Sequence, residues 1–185
     1  MRRIFPFQEL SWIKPNLAIS GCIAGLTAVE LATRNGFQNL LEICPEIHAD
    51  PPPFTQGDVH MLRLPTFDCE AIAPDMIRKG VTFIDEALVR QEKVLISCQH
   101  GSSRSVLMAA CVLVYEGKTS VEAMEMIMDS RGQASPNPDQ IYALLAWEKA
   151  CSGRAIAPDA WMNVARVAYR HLPKRTRALN VVALP

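Results

Sequence analysis

The chain has no CxxC pair, no cluster of histidine and cysteine at zinc-ligand spacing, and no apolar stretch long enough to cross a bilayer. Its six cysteines (Cys22, Cys44, Cys69, Cys98, Cys111 and Cys151) are scattered, so neither a structural metal nor a disulfide framework is indicated. Reduced thiols in a cytoplasmic setting are expected instead. The longest apolar run, Val106 to Val114, falls far short of the roughly 20 residues that span a membrane. The basic start, Met1-Arg2-Arg3-Ile4-Phe5-Pro6, has no sustained apolar segment behind it. Net charge is missing too, because 19 Lys and Arg meet 19 Asp and Glu, and no nucleic-acid partner is expected. Internal repeats and low-complexity segments are absent. What remains is an ordinary globular composition, 49% hydrophobic and 21% charged over 185 residues, enough for one domain with a sizeable core and an appendage.

One stretch organises the rest. Val94-Leu95-Ile96-Ser97 reads as a central strand, Cys98 to Arg104 as a tight loop, and the apolar segment from Ser105 to about Glu116 as a buried helix whose N-terminus points back at the loop. A loop that joins a strand to a helix start aims free backbone N–H groups and the positive end of the helix dipole at one point, where an anion is held without a metal. Gly101 permits a positive φ and close approach to a ligand. Arg104 offers a planar fork of donors that matches phosphate oxygens. Cys98 lies in the same field, which favours its thiolate below the free-cysteine pKa of about 8.5 and makes it a candidate nucleophile. The Ser105 hydroxyl is placed to hydrogen-bond the sulfur as it departs.

The string Cys98-x5-Arg104-Ser105, with Gly101 inside it, resembles the signature loop of the cysteine-based protein tyrosine phosphatases, and its setting is most similar to the compact dual-specificity branch. The resemblance covers roughly residues 7 to 150. It implies a phosphatase-like three-layer α/β architecture with a central mixed sheet of four to five strands flanked by helices. It also implies hydrolysis of phosphomonoesters through a phosphocysteine, with no cofactor and no metal, on phosphoprotein or small aryl phosphate substrates. Cys98, Arg104, Asp68 and Ser105 are then the catalytic set, and Gln99, His100, Gly101, Ser102 and Ser103 bind substrate. One departure is Ser97, where that family usually has histidine. Two other readings stay open: a phosphate-binding module with little turnover, and sulfur transfer of the rhodanese type, against which Arg104-Ser105 argues.

Thiolate attack on a phosphomonoester needs a proton for the leaving oxygen, and a loop carboxylic acid can supply it. After a strand at His60 to Leu64 comes the loop Pro65-Thr66-Phe67-Asp68-Cys69-Glu70, then a helix opened by Pro74-Asp75 and running to about Gln91. Asp75 sits in a first helical turn, where a carboxylate already interacts with the dipole. Asp68 has no such local reason to be acidic, and its place before Cys98 resembles that of the general acid in dual-specificity phosphatases. It is favoured over Asp75, with Glu70 third.

Elsewhere, residues 7 to 20 suggest a hairpin-like or edge strand leading into a sheet strand. Thr27-x-x-Glu30 and Thr119-x-x-Glu122 are capping boxes, opening helices near Ala28 to Asn35 and after Thr119. Asn39 to Cys44 is a strand, and Pro51-Pro52-Pro53 marks residues 45 to 58 as a surface loop. Ser135-Pro136-Asn137-Pro138 starts another helix; with Arg131 it also resembles the dual-specificity pattern. From Cys151 onward the composition shifts. Six basic residues (Arg154, Arg166, Arg170, Lys174, Arg175, Arg177) face one acid, Asp159, a formal +5 that leaves −5 on residues 1 to 150. Residues 158 to 171 read as a basic amphipathic helix with Trp161, Val164, Ala165 and Ala168 on one face. That face is expected to lie on the chain's own acidic domain, with an acidic partner or an anionic surface as the other reading.

Overall fold

A computed structural model of the chain describes residues 10–21, 27–44 and 59–173. The expected loop at 45–58, the basic start, and the apolar and basic end from Lys174 lie outside those residues. Strands β1 (Leu10–Lys14) and β2 (Leu17–Gly21) form an antiparallel hairpin over Pro15-Asn16. Helix α1 (Ala28–Arg34) leads to β3 (Asn39–Glu42), and β4 (His60–Arg63) to α2 (Pro74–Val89). Strand β5 (Val94–Cys98) is followed by α3 (Arg104–Tyr115), α4 (Ser120–Ser130), α5 (Pro138–Ser152) and α6 (Ala160–Ala168). Among the described residues no helix is long and apolar enough to cross a membrane.

The sheet order is β1-β2-β5-β3-β4, with β2, β5, β3 and β4 parallel to one another. Side chains alternate across it. Ala18, Leu40 and Leu95 turn toward α1, whereas Leu17, Ile19, Leu41, Val94 and Ile96 turn toward the core shared by α2 to α6. A central parallel strand is covered on both faces, which is why β5 is apolar at every position except Ser97 until it reaches Cys98. The carboxyl ends of the parallel strands share one edge of the sheet, the edge at which open α/β sheets bind ligands.

Local chemistry accounts for the helix boundaries. Both expected capping boxes form: Thr27 and Glu30 cap α1, and Thr119 and Glu122 cap α4. Helix α5 runs to Ser152, so a division of the chain at 150/151 falls inside it. Glu148-Lys149-Ala150-Cys151 are compatible with a helix, and the stop comes only at Gly153, which takes φ +65°. Helix α6 is shorter than the 158 to 171 expected, because Pro158-Asp159 form a turn and the first helical residue is Ala160. Its Trp161, Val164, Ala165 and Ala168 are buried against α4 and α5, with the Trp161 ring 6.0 Å from that of Tyr142. Two cations in and just after it work within the chain: Arg166 donates to Asn163 at 3.1 Å, and Arg170 pairs with Asp129.

Candidate active site

Strand β5 ends on Cys98 and α3 begins on Arg104, so residues 99–103 must turn the chain within five positions. Cys98 pairs in register with Gly21 at the end of β2. That close approach demands glycine on both sides. A Cβ on Gly21 would stand 2.7 Å from the His100 carbonyl carbon, and one on Gly101, which has φ +63°, would stand 2.6 Å from the Gly21 nitrogen.

Arg131, at the end of α4, braces the loop from behind. Its Nε donates to the Gly101 carbonyl, its Nη2 to the His100 carbonyl at 3.4 Å, and its Nη1 to Ser11 Oγ at 3.0 Å. The Ser102 carbonyl accepts from the Ser135 N–H at 2.7 Å. None of the described peptides is cis, and in a trans planar peptide the N–H points opposite to the C=O. Turning the carbonyls of 100, 101 and 102 outward onto the brace therefore turns the N–H groups of Gly101, Ser102 and Ser103 the other way. The fold makes a ring of donors by holding the acceptors. Burial lowers the Arg131 pKa below the ordinary arginine value, and attraction to Cys98 opposes that shift, so this guanidinium also lies within the electrostatic reach of the sulfur.

Cys98 is buried, with Sγ 3.2 Å from Ser105 Oγ, within hydrogen-bonding range for sulfur. Arg104 is wholly buried; its Nη1 donates to the Thr66 carbonyl at 2.7 Å and its Nη2 lies 3.2 Å from Asp68 Oδ1. One guanidinium thus ties the start of α3 to the loop that carries Asp68. The Asp68 side chain is 42% exposed, open to a substrate, whereas that of Asp75 is 71% exposed and lies 4.0 Å from Lys79 one turn along α2. Of the three candidate acids, Asp68 is the one that contacts Arg104. The Glu70 carbonyl accepts from Gln140, and the residue is exposed. Gln99, Ser102 and Ser103 are half-buried around the rim, His100 is exposed, and none of the four adds a permanent cation.

Sequence reasoning singles out Pro136-Asn137 for its place in the chain but not Gln140, and not the contacts by which Asn137 and Gln140 hold the acid loop. Asn137 Nδ2 donates to the Cys69 carbonyl at 2.6 Å, and Gln140 Nε2 donates to the Glu70 carbonyl at 3.1 Å. Asn137 and Gln140 also form the capping box of α5, a pattern visible in the sequence as Asn-x-x-Gln after a proline. The second use of both side chains, on a loop 68 to 70 positions away, leaves no local trace. Arg131 was noticed for its spacing, but its role as the brace depends on contacts with Ser11, His100 and Gly101.

The sequence profile for "Dual specificity phosphatase, catalytic domain" matches residues 27–150. Dual specificity protein phosphatase 16 of Homo sapiens is 33% identical over 140 residues, which cover 74% of this chain and 20% of that protein. Dual specificity protein phosphatase 8 of Mus musculus is 29% identical over 147 residues, covering 78% and 21%. The chain thus spans about a fifth of the length of these two relatives. The crystal structure of PTPMT1 in complex with PI(5)P superposes with a TM-score of 0.70 at 21% identity, over 80% of this chain and 100% of that one, a likeness of fold.

Proposed function

We propose, from the premise that this chain belongs to the dual specificity phosphatase catalytic-domain family, that it hydrolyses phosphomonoesters through a phosphocysteine intermediate. The observation that carries the proposal is the braced loop: three carbonyls turned outward onto Arg131 and Ser135, with Cys98 beneath. A dianionic phosphoryl group held by the opposed N–H groups and by Arg104 presents its phosphorus to the sulfur.

In the first step the Cys98 sulfur attacks phosphorus, the bond to the ester oxygen breaks, and Asp68 gives its proton to the departing alcohol. In the second, water attacks the phosphocysteine while the Asp68 carboxylate takes a proton from it. The sulfur leaves with its electron pair, stabilised by a hydrogen bond from Ser105, whose 3.2 Å approach supports that role. Arg104 and the loop amides stabilise the three equatorial oxygens in both steps. Placement and preorganised charge supply most of the rate, since a loose phosphoryl transition state asks for little else. The substrate class is phosphotyrosine, with phosphoserine and phosphothreonine, in proteins; simple aryl phosphates are model substrates. In support, Gln99, His100, Ser102 and Ser103 add no fixed positive charge that would favour a polyphosphorylated headgroup. A reducing, cytoplasmic setting is part of the proposal, because the chemistry requires Cys98 as the free thiol.

The test is phosphate release from phosphopeptides, phosphoinositides and phenyl phosphate. Wild type is expected to act on the peptides and the aryl ester, and Cys98→Ser to lose activity by about 10⁴-fold or more. Absence of turnover by the wild type, or an undiminished rate in the variant, defeats the proposal.

A further inference from the structure

The short stretch from Ala134 to Gln140 is bonded to three parts of the molecule at once. The Ser135 N–H holds the phosphate loop at Ser102, and Asn137 and Gln140 hold the acid loop at Cys69 and Glu70. From the opposite side, the Tyr169 hydroxyl, at the end of α6, donates to the Pro136 carbonyl at 2.7 Å. Tyr169 lies outside the stretch that matches the family, yet it is buried, and burial pushes its phenol up to about 12, so the hydroxyl stays a donor at any working pH.

The bond to Pro136 bears on more than one atom. The Pro136 carbonyl and the Asn137 N–H belong to the same rigid peptide plane. That N–H donates to Gln140 Oε1 at 2.9 Å, and the other end of the same amide, Nε2, donates to Glu70. A continuous relay therefore runs from the Tyr169 hydroxyl through one peptide and one side-chain amide to the backbone two residues past Asp68, and hydrogen bonds linked in this way polarise and orient one another. The acid loop needs such support. It has no regular structure between β4 and α2, and Cys69 holds φ +64°, a left-handed conformation that a non-glycine residue keeps only when its surroundings impose it.

We infer that Tyr169 is a positioning residue for Asp68: α6 is part of the catalytic body, and its terminal hydroxyl keeps the acid loop seated over Arg104. The catalytic consequence rests on the function proposed above; the structural consequence does not. In the full-length chain, Tyr169→Phe removes the donor and keeps the ring. Amide exchange of residues 66–70 is expected to rise about fivefold, the equivalent of one neutral buried hydrogen bond, with β5 and α3 unchanged. The kcat/KM for phenyl phosphate, whose leaving group needs the proton, is expected to fall about fivefold, and that for dinitrophenyl phosphate, whose leaving group does not, by less than about twofold. Gln140→Leu breaks the relay at its other end, so adding Tyr169→Phe to it should bring no further loss.

Unchanged exchange at 66–70 in Tyr169→Phe overturns the inference whether or not the protein turns over. So do equal losses on the two esters, or additive losses in the double variant. A wild type that releases no phosphate defeats the proposed function instead, and exchange still decides the place of Tyr169.

Discussion

Helices α3 and α4 follow one another in the chain and begin in opposite ways. At the start of α4, Thr119 Oγ1 accepts from the Glu122 N–H at 3.2 Å, Glu122 Oε2 accepts from the Thr119 N–H at 2.8 Å, and Glu148 Oε2 accepts from the Ser120 N–H at 2.9 Å. The positive end of that helix is filled by the chain's own oxygens. At the start of α3, Ser103 makes no side-chain cap, and the first turn carries no acidic residue. That start of α3 lies beside Cys98, where the proposed function needs donors for a ligand. The helix away from the sulfur closes its own end with side-chain oxygens; the helix beside it has no such cap at Ser103, and under the proposed function that end meets substrate oxygens.

Several substitutions test that contrast, beginning with the largest effect. Arg104→Lys should lower kcat/KM by about 10³-fold, because a point charge cannot replace a fork that serves both the phosphoryl oxygens and the Thr66 carbonyl; steady-state kinetics decide it. Asp68→Asn should slow phenyl phosphate cleavage by about 10²-fold and leave dinitrophenyl phosphate much less affected, since only the first leaving group needs the proton. An equal loss on both would move the acid elsewhere. Thr119→Ala should lower stability by about 1 kcal/mol in urea unfolding without changing kcat, whereas Ser103→Ala, at a cap position with no side-chain bond, should stay within about 0.5 kcal/mol.

The smallest effect is a pH dependence. Hydrogen bonds from the Thr27 and Thr119 backbones, and then from their side chains, hold the carboxyls of Glu30 and Glu122 below their usual pKa of 4.5. A lowered folded-state pKa gives stability that is present above the unfolded value and lost as pH falls through the folded one. Acidification below about 4.5 should therefore speed amide exchange in the first turns of α1 and α4, with no such carboxylate effect in α3. Equal loosening of all three would erase the contrast.

Much of the site was legible because it is local. The strand, glycine loop, arginine and apolar helix occupy one continuous stretch, and both threonine capping boxes announced their helices within four residues. The preference for Asp68 over Asp75 followed from asking which carboxylate already had a role; in the fold Asp68 lies against Arg104, and Asp75 lies near Lys79 on α2. The rest was hidden by distance along the chain. Arg131 looks like an ordinary cation at a helix end, and only a fold that brings Ser11, His100 and Gly101 around it makes it the brace of the loop. The basic composition after Cys151 drew attention to charge, whereas a neutral phenol there, that of Tyr169, donates to the Pro136 carbonyl.

By itself the sequence determined that a thiol, a glycine and a guanidinium share one short loop between a strand and a helix, since all three lie in one continuous stretch. It also determined most of the elements, because caps and apolar periodicity act within a few residues. Only the tertiary structure decided which carbonyls face outward, which acid meets the arginine, and whether α6 stands apart or against α4 and α5. Those outcomes depend on hydrogen bonds between residues far apart in the chain, and such bonds exist only once the sheet and its helices have brought their partners together.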